Sequence, residues 1–252
     1  GIIRGRGLKS EVLPQLIGNN GMAVKAPTEA SSSQISIIDR VLKVDTEISQ
    51  QLHAFFYPLV PSFLHLILEI SADFRLFMPL ALAMTFSPWC APFISILSPL
   101  ILGLIMDLLV VGLAKVIFRR RRPPYNPSMS AAVPVDHYSF PSGHSTRVFF
   151  VASLVFLSFS SICAALPRYR EWITPGNEEY VAKIATTLCC AWAGLTASSR
   201  VLLGRHYSLD VVVGSVLGVF EGLVAFHFLN FEDYFAKIVL SVWEFFPVKG
   251  AG

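Results

Sequence analysis

From Gln34 to Gln51 the residues Ile35, Ile37, Ile38, Val41, Leu42, Val44 and Ile48 recur at mixed helical spacing between Asp39, Arg40, Lys43, Asp45 and Glu47. The pattern predicts an amphipathic helix, either lying on a membrane surface or packed against the rest of the protein. Six apolar stretches follow, at roughly 53–71, 74–91, 95–118, 143–166, 180–201 and 207–230. Each runs to about 18–24 residues, enough for a helix to cross a hydrocarbon core of about 30 Å. Pro58, Pro61 and Pro79 predict kinks in the first two stretches. A last weak stretch, Ile238 to Phe246, is too short to span. Residues 1–33 lack periodicity and any secretory signal pattern, and read as disordered. Residues 1–21, ahead of Met22, are expected to be upstream sequence that insertion and activity do not need.

The expected layout is all-α: a disordered N-terminus and amphipathic helix over 1–52, a six-transmembrane-helix bundle over 53–230, and a C-terminal tail over 231–252. With six crossings, the loop after the third helix and the loop after the fifth fall on one side, and three polar stretches meet there.

Composition agrees with that pattern. Hydrophobic residues make up 54% of the 252 and charged residues only 15%, which marks an integral membrane protein. A net charge of +3 is too small for a nucleic-acid binder. Cys90, Cys163, Cys189 and Cys190 lie in or beside apolar segments without metal-ligand spacing, and imply no disulfide framework.

The first polar stretch runs from Lys115 to Pro123 and contains Arg119, Arg120, Arg121 and Arg122. If the third helix continues to the proline, Lys115 and Arg122 lie nearly two turns apart and reach one point above the bilayer. The second is Pro141-Ser142-Gly143-His144, where a Ser-Gly helix start offers a hydroxyl, open N–H groups and the positive end of the helix dipole to an anion. The third is Ser199 to Asp210, with Arg200 and His206. If His206 opens a helix, Asp210 lies one turn on, where its carboxylate holds one imidazole nitrogen and leaves the other free. A histidine and aspartate so spaced could also be half of a metal site. Lys115, Arg122 and Arg200, with no carboxylate cluster to offset them, instead favour an anion over a divalent cation.

Considered together, the stretches match the signature KxxxxxxRP, PSGH and SRxxxxxHxxxD at Lys115, Arg122, Pro123, Pro141, Ser142, Gly143, His144, Ser199, Arg200, His206 and Asp210. In this the chain resembles the type 2 phosphatidic acid phosphatase superfamily. The surrounding text, such as Phe118-Arg119-Arg120-Arg121-Arg122-Pro123 and Leu203-Gly204-Arg205-His206-Tyr207, is most similar to plant lipid phosphate phosphatases of the beta type and to animal polyisoprenoid diphosphate phosphatases.

The resemblance implies a histidine phosphatase core shared with vanadium haloperoxidases, and hydrolysis of a lipid phosphate through a phosphohistidine with no metal or other cofactor. His206, oriented by Asp210, is the expected nucleophile, and His144 the general acid and then base. Lys115, Arg122, Arg200, the Ser142 hydroxyl and the Gly143 amide are the expected phosphate ligands. Arg119, Arg120, Arg121 and Arg205 fall outside the signature and are expected to be solvated or to touch headgroups. The expected partners are a phosphorylated lipid and the bilayer. Phosphatidate, lysophosphatidate, sphingoid phosphates and isoprenyl diphosphates all present the same headgroup.

Asp107 and Glu221, acids inside apolar stretches without evident cations, are expected to hydrogen-bond between helices; a transporter would use such acids as a pathway. The Arg119–Arg122 block pulls the active side toward the cytoplasm by the positive-inside rule, while the resemblance puts it in the lumen. Because several of these cations are expected phosphate ligands, the lumenal side of an endoplasmic reticulum membrane is the expectation.

Overall fold

The structure, a computed structural model, describes residues 37–125 and 137–245. The expected disordered leader, the Met22 start and the tail beyond residue 245 lie outside these residues. Among the described residues the main elements are helices: α1 (Ile37–Phe56), α2 (Ser62–Ser71), α3 (Phe74–Phe86), α4 (Ile94–Phe118), α5 (Gly143–Leu157), α6 (Phe159–Ala165), α7 (Glu178–Leu202), α8 (Ser208–Phe228) and α9 (Glu232–Phe245).

All six apolar stretches are helical, but not all are single rods. Pro88–Phe118, Glu178–Leu202 and Ser208–Phe228 are each long and apolar enough to cross a membrane, and the number rises to 5 if each bent helix pair is one span. The first stretch is divided between the end of α1 and α2, where Pro58 and Pro61 turn the chain through 118°. The fourth breaks at Ser158, in a serine-rich run, and α6 continues at 64° to α5. α3 keeps Pro79 inside a helix of 13 residues. α9, read from the sequence only as a weak stretch, packs back on the bundle, with Trp243 Nε1 donating to the Phe86 carbonyl at 2.9 Å. Leu109, Leu113, Val216 and Phe220 stay exposed on the spanning helices, which suits a lipid-facing surface.

The centre of the bundle is the contact between α5 and α8. Gly214, Gly218 and Gly222 line one face of α8 at four-residue spacing and let the two backbones meet. A Cβ on Gly218 would lie 2.1 Å from the Thr146 carbonyl oxygen, and one on Gly214 2.8 Å from that of Ser142. Because backbone blocks the added carbon at both sites, Gly218→Ala should destabilise the protein by about 2 kcal/mol or more. A thermal midpoint in detergent equal to that of the wild type would refute this. Below the seam, Ile101, Leu104, Phe150, Val151, Leu154 and Ala225 form the apolar core.

Of the intramembrane acids, Asp107 hydrogen-bonds between helices as expected and Glu221, among the described residues, does not. Asp107 does have a cation: Arg147 on α5 donates Nη2 to Asp107 Oδ2 at 2.8 Å and Nη1 to the Ala72 carbonyl at 2.9 Å. The arginine follows the second polar stretch directly and carries no sign of its partner in the sequence. Glu221 is 2% exposed on α8, and neither of its carboxylate oxygens finds a hydrogen bond among the described residues.

Candidate active site

The third apolar helix does not run on to Pro123. α4 ends at Phe118 because Arg119 turns into the left-handed region, φ 48°, with its N–H donating to the Lys115 carbonyl at 3.0 Å. Beyond it the arginine run is extended, with Arg121 paired to Tyr138 and the Arg120 carbonyl accepting from the Ser139 N–H at 2.8 Å. Extended backbone sends alternate side chains to opposite sides. Arg120 and Arg122 therefore turn inward, while Arg119 and Arg121 remain exposed as expected.

His206 sits in the turn between α7 and α8, not on a helix. Gly204 makes that turn at φ 66°, and the Arg205 and His206 N–H groups both donate to the Arg200 carbonyl, at 3.0 and 3.2 Å. The imidazole is 2% exposed. Its Nδ1 lies 2.7 Å from the Ser139 carbonyl oxygen, and its Nε2 lies 3.4 Å from Arg122 Nη1. A carbonyl only accepts, so Nδ1 carries the proton and Nε2 presents its lone pair beside the arginine. Burial pulls the imidazole down to about 4, helped by Arg122 and Arg200 and opposed by Asp210, so the ring is neutral near pH 7.

Asp210 departs from the expected geometry. Its Oδ2 is 3.7 Å from His206 Nδ1, beyond hydrogen-bond range. It accepts instead from Arg120 Nη1 at 2.7 Å and from the Tyr207 N–H at 2.9 Å, closing the start of α8. The Ser139 carbonyl holds the imidazole, and Asp210 contributes charge nearby. Ser139 was invisible to the sequence reading because a backbone carbonyl leaves no mark on residue type.

The other expected residues converge on the same place. The Ser142 N–H donates to the Asp210 carbonyl at 3.0 Å, which joins the start of α5 to that of α8. Ser142 Oγ accepts from Ser145 Oγ at 2.9 Å and keeps its own proton to give. Gly143 opens α5, and His144 beside it stands within electrostatic reach of Lys115, Arg200 and His206. Lys115 is 6% exposed and Arg200 1%. Arg122 Nη1 also donates to the Arg205 carbonyl at 3.1 Å. Among the described residues, His144 Nε2 and Arg200 Nε and Nη1 are buried polar atoms without a hydrogen-bond partner. Buried donors left so are costly unless a ligand satisfies them.

Two arginines outside the signature are not solvated. Arg120 bridges Asp45 on α1, at 2.6 Å, and Asp210, at 2.7 Å, with its guanidinium 4.0 Å over the Tyr207 ring. Arg205 pairs with Glu69 on α2 at 3.1 Å, and the same carboxylate lies 3.9 Å from Arg200. Glu69 and the buried His65 are polar residues one turn apart in the first apolar stretch, a signal as legible as Asp107. Asp45 and Ser49, also one turn apart, are the buried residues of α1.

The chain is similar to known proteins over most of its length. Residues 96–234 match the family model described as the PAP2 superfamily. The chain is 47% identical over 208 residues to "Probable lipid phosphate phosphatase beta" of Arabidopsis thaliana, covering 80% of this chain and 96% of that protein. It is 31% identical over 98 residues to phosphatidylglycerophosphatase B of Haemophilus influenzae, a match over 39% of this chain and 35% of that one. The crystal structure of a transmembrane PAP2 type phosphatidylglycerolphosphate phosphatase from Bacillus subtilis shares the fold, with a TM-score of 0.56 at 20% identity over 74% of this chain and 85% of that chain.

Proposed function

The chain belongs to the PAP2 superfamily and is a membrane lipid phosphate phosphatase, and on that footing we propose that it hydrolyses the terminal phosphate of a lipid monophosphate or diphosphate through a phosphohistidine on His206. One observation carries the reading: a neutral imidazole fixed through Nδ1, its Nε2 lone pair turned toward Arg122 in a pocket of buried cations. The His206 Nε2 pair attacks phosphorus, forming an N–P bond as the bond from phosphorus to the lipid oxygen breaks. His144, protonated once the phosphate's negative charge fills the pocket, gives its proton to that oxygen and the lipid alcohol leaves. Water then attacks phosphorus, His144 takes a proton from it, and the N–P bond breaks to free inorganic phosphate and His206.

Negative charge on the phosphoryl oxygens meets Lys115, Arg122, Arg200, the Ser142 hydroxyl and the Gly143 amide, all in place before the reaction. These cations supply the electrostatic work that a divalent ion does elsewhere. The donor set also disfavours such an ion, because among the described residues no three His, Cys, Asp or Glu side chains converge as ligands. The endoplasmic reticulum membrane, with the site facing the lumen, is the proposed location.

The test is phosphate release by purified protein in detergent with excess EDTA, against phosphatidate, lysophosphatidate, a sphingoid phosphate and an isoprenyl diphosphate. Release from one class or more is expected. Release from none, or only once magnesium is restored, would overturn the proposal, and the first outcome would favour a transporter or a catalytically silent lipid binder.

A further inference from the structure

We propose that Asp45, on the helix that precedes the membrane bundle, is a positioning residue for phosphate transfer at His206; the inference rests on the function proposed above. α1 lies outside the region that matches the family, residues 96–234, and no residue of it belongs to the motif signature. At about 100° per residue the helix has three strips. Asp39, Lys43 and Glu47 form a polar one, Ile37, Val41, Val44 and Ile48 an exposed apolar one, and Asp45, Ser49, Leu52 and His53 face the protein.

That inner strip completes the start of α8. The first N–H groups of a helix have no partner within it. Here Ser49 Oγ accepts from the Ser208 N–H at 2.8 Å and Asp45 Oδ1 from the Leu209 N–H at 2.9 Å, so a different helix caps α8. Asp45 Oδ2 takes Arg120 Nη2 at 2.6 Å, while Arg120 Nη1 goes to Asp210. His53 Nδ1 adds a 2.6 Å contact to the Leu202 carbonyl at the end of α7. The turn carrying His206 is thereby held at both ends from α1.

Two consequences for the chemistry follow from the charges. Arg120 is neutralised between two carboxylates and does not compete for the phosphate. Arg122, two residues along the same extended run, keeps its Nη1 beside His206 Nε2. Removing the Asp45 charge frees one side of Arg120 and weakens the acceptor of the Leu209 N–H, so the imidazole shifts against its phosphate ligands. A misplacement on the order of 1 Å between reacting groups is enough to slow a reaction about a hundredfold.

The experiment compares wild type, Asp45→Asn, Asp45→Glu and, as a control on the exposed side of the same helix, Lys43→Ala, in purified detergent-solubilised protein. Phosphate release and inhibition by vanadate are read together, with amide hydrogen exchange over residues 207–211. Asp45→Asn is expected to lower kcat by about 10- to 100-fold, to weaken vanadate inhibition in parallel, and to speed exchange at Leu209. Asp45→Glu should recover part of each effect, and Lys43→Ala should match wild type. A lower maximal rate with unchanged vanadate inhibition means only less folded enzyme, and overturns the proposal. Unchanged kcat or unchanged exchange in Asp45→Asn does the same. Wild-type protein that releases no phosphate sinks the proposed function instead, while the exchange measurement still decides whether Asp45 holds the turn.

Discussion

His206→Ala is expected to abolish phosphate release, by about 10⁴-fold or more, from membranes that hold wild-type amounts of the protein. No other group can replace the lost nitrogen. His144 is engaged as acid and base, and the surrounding cations offer no lone pair. The fold should survive, because the buried imidazole makes its hydrogen bond to a loop carbonyl and is not a member of the apolar core. The wild type should bind vanadate as a mimic of the five-coordinate phosphorus, and should lose activity through His206 only as pH falls through about 4, where the ring takes a proton and its lone pair is gone. The direction follows from the depressed pKa, since the neutral form is the nucleophile. Full turnover in the alanine variant would remove the phosphohistidine.

The second large effect belongs to Arg200. Its side chain is 1% exposed, with Nε and Nη1 lacking partners among the described residues. Arg200→Lys keeps the charge but replaces a planar fork by a single point, so it separates geometry from electrostatics. We expect kcat/KM to fall about 100-fold or more, with Arg200→Ala worse still, because the transition state gathers charge on oxygens that the fork would bridge. Glu69 retains Arg205 as a partner in either variant, so the carboxylate is not stranded. A loss below about tenfold in the lysine variant would mean that the guanidinium does not grip the reacting phosphoryl group.

Much of the membrane bundle could be read from the chain because its signal is periodic and long: α4, α7 and α8 lie where uninterrupted apolar runs put them. The helices that break were harder. Pro58 and Pro61 announced a kink but not its size, and the serines around Ser158 are too weak a signal to announce one. At the site, residues defined by side-chain chemistry were legible, and the three polar stretches do meet. Roles filled by backbone or by geometry were not. The Ser139 carbonyl holds the imidazole in the place assigned to Asp210, and the left-handed Arg119 ends α4 early, which turns Arg120 inward. Asp45, Ser49 and Glu69 were in plain sight as polar residues on otherwise apolar faces. Their partners, however, lie far along the chain, and one sequence carries no record of such pairings.

The ion pair between Asp107 and Arg147 bears on how the protein is made. A lone arginine in a spanning helix costs up to about 2.5–3.5 kcal/mol if it lies at the bilayer centre, and less nearer the headgroups. Synthesis runs from the N-terminus, so α4 is made before α5. The carboxylate waiting there offers the newcomer its counter-charge, and the two segments can enter the membrane as a hairpin whose burden neither would carry alone.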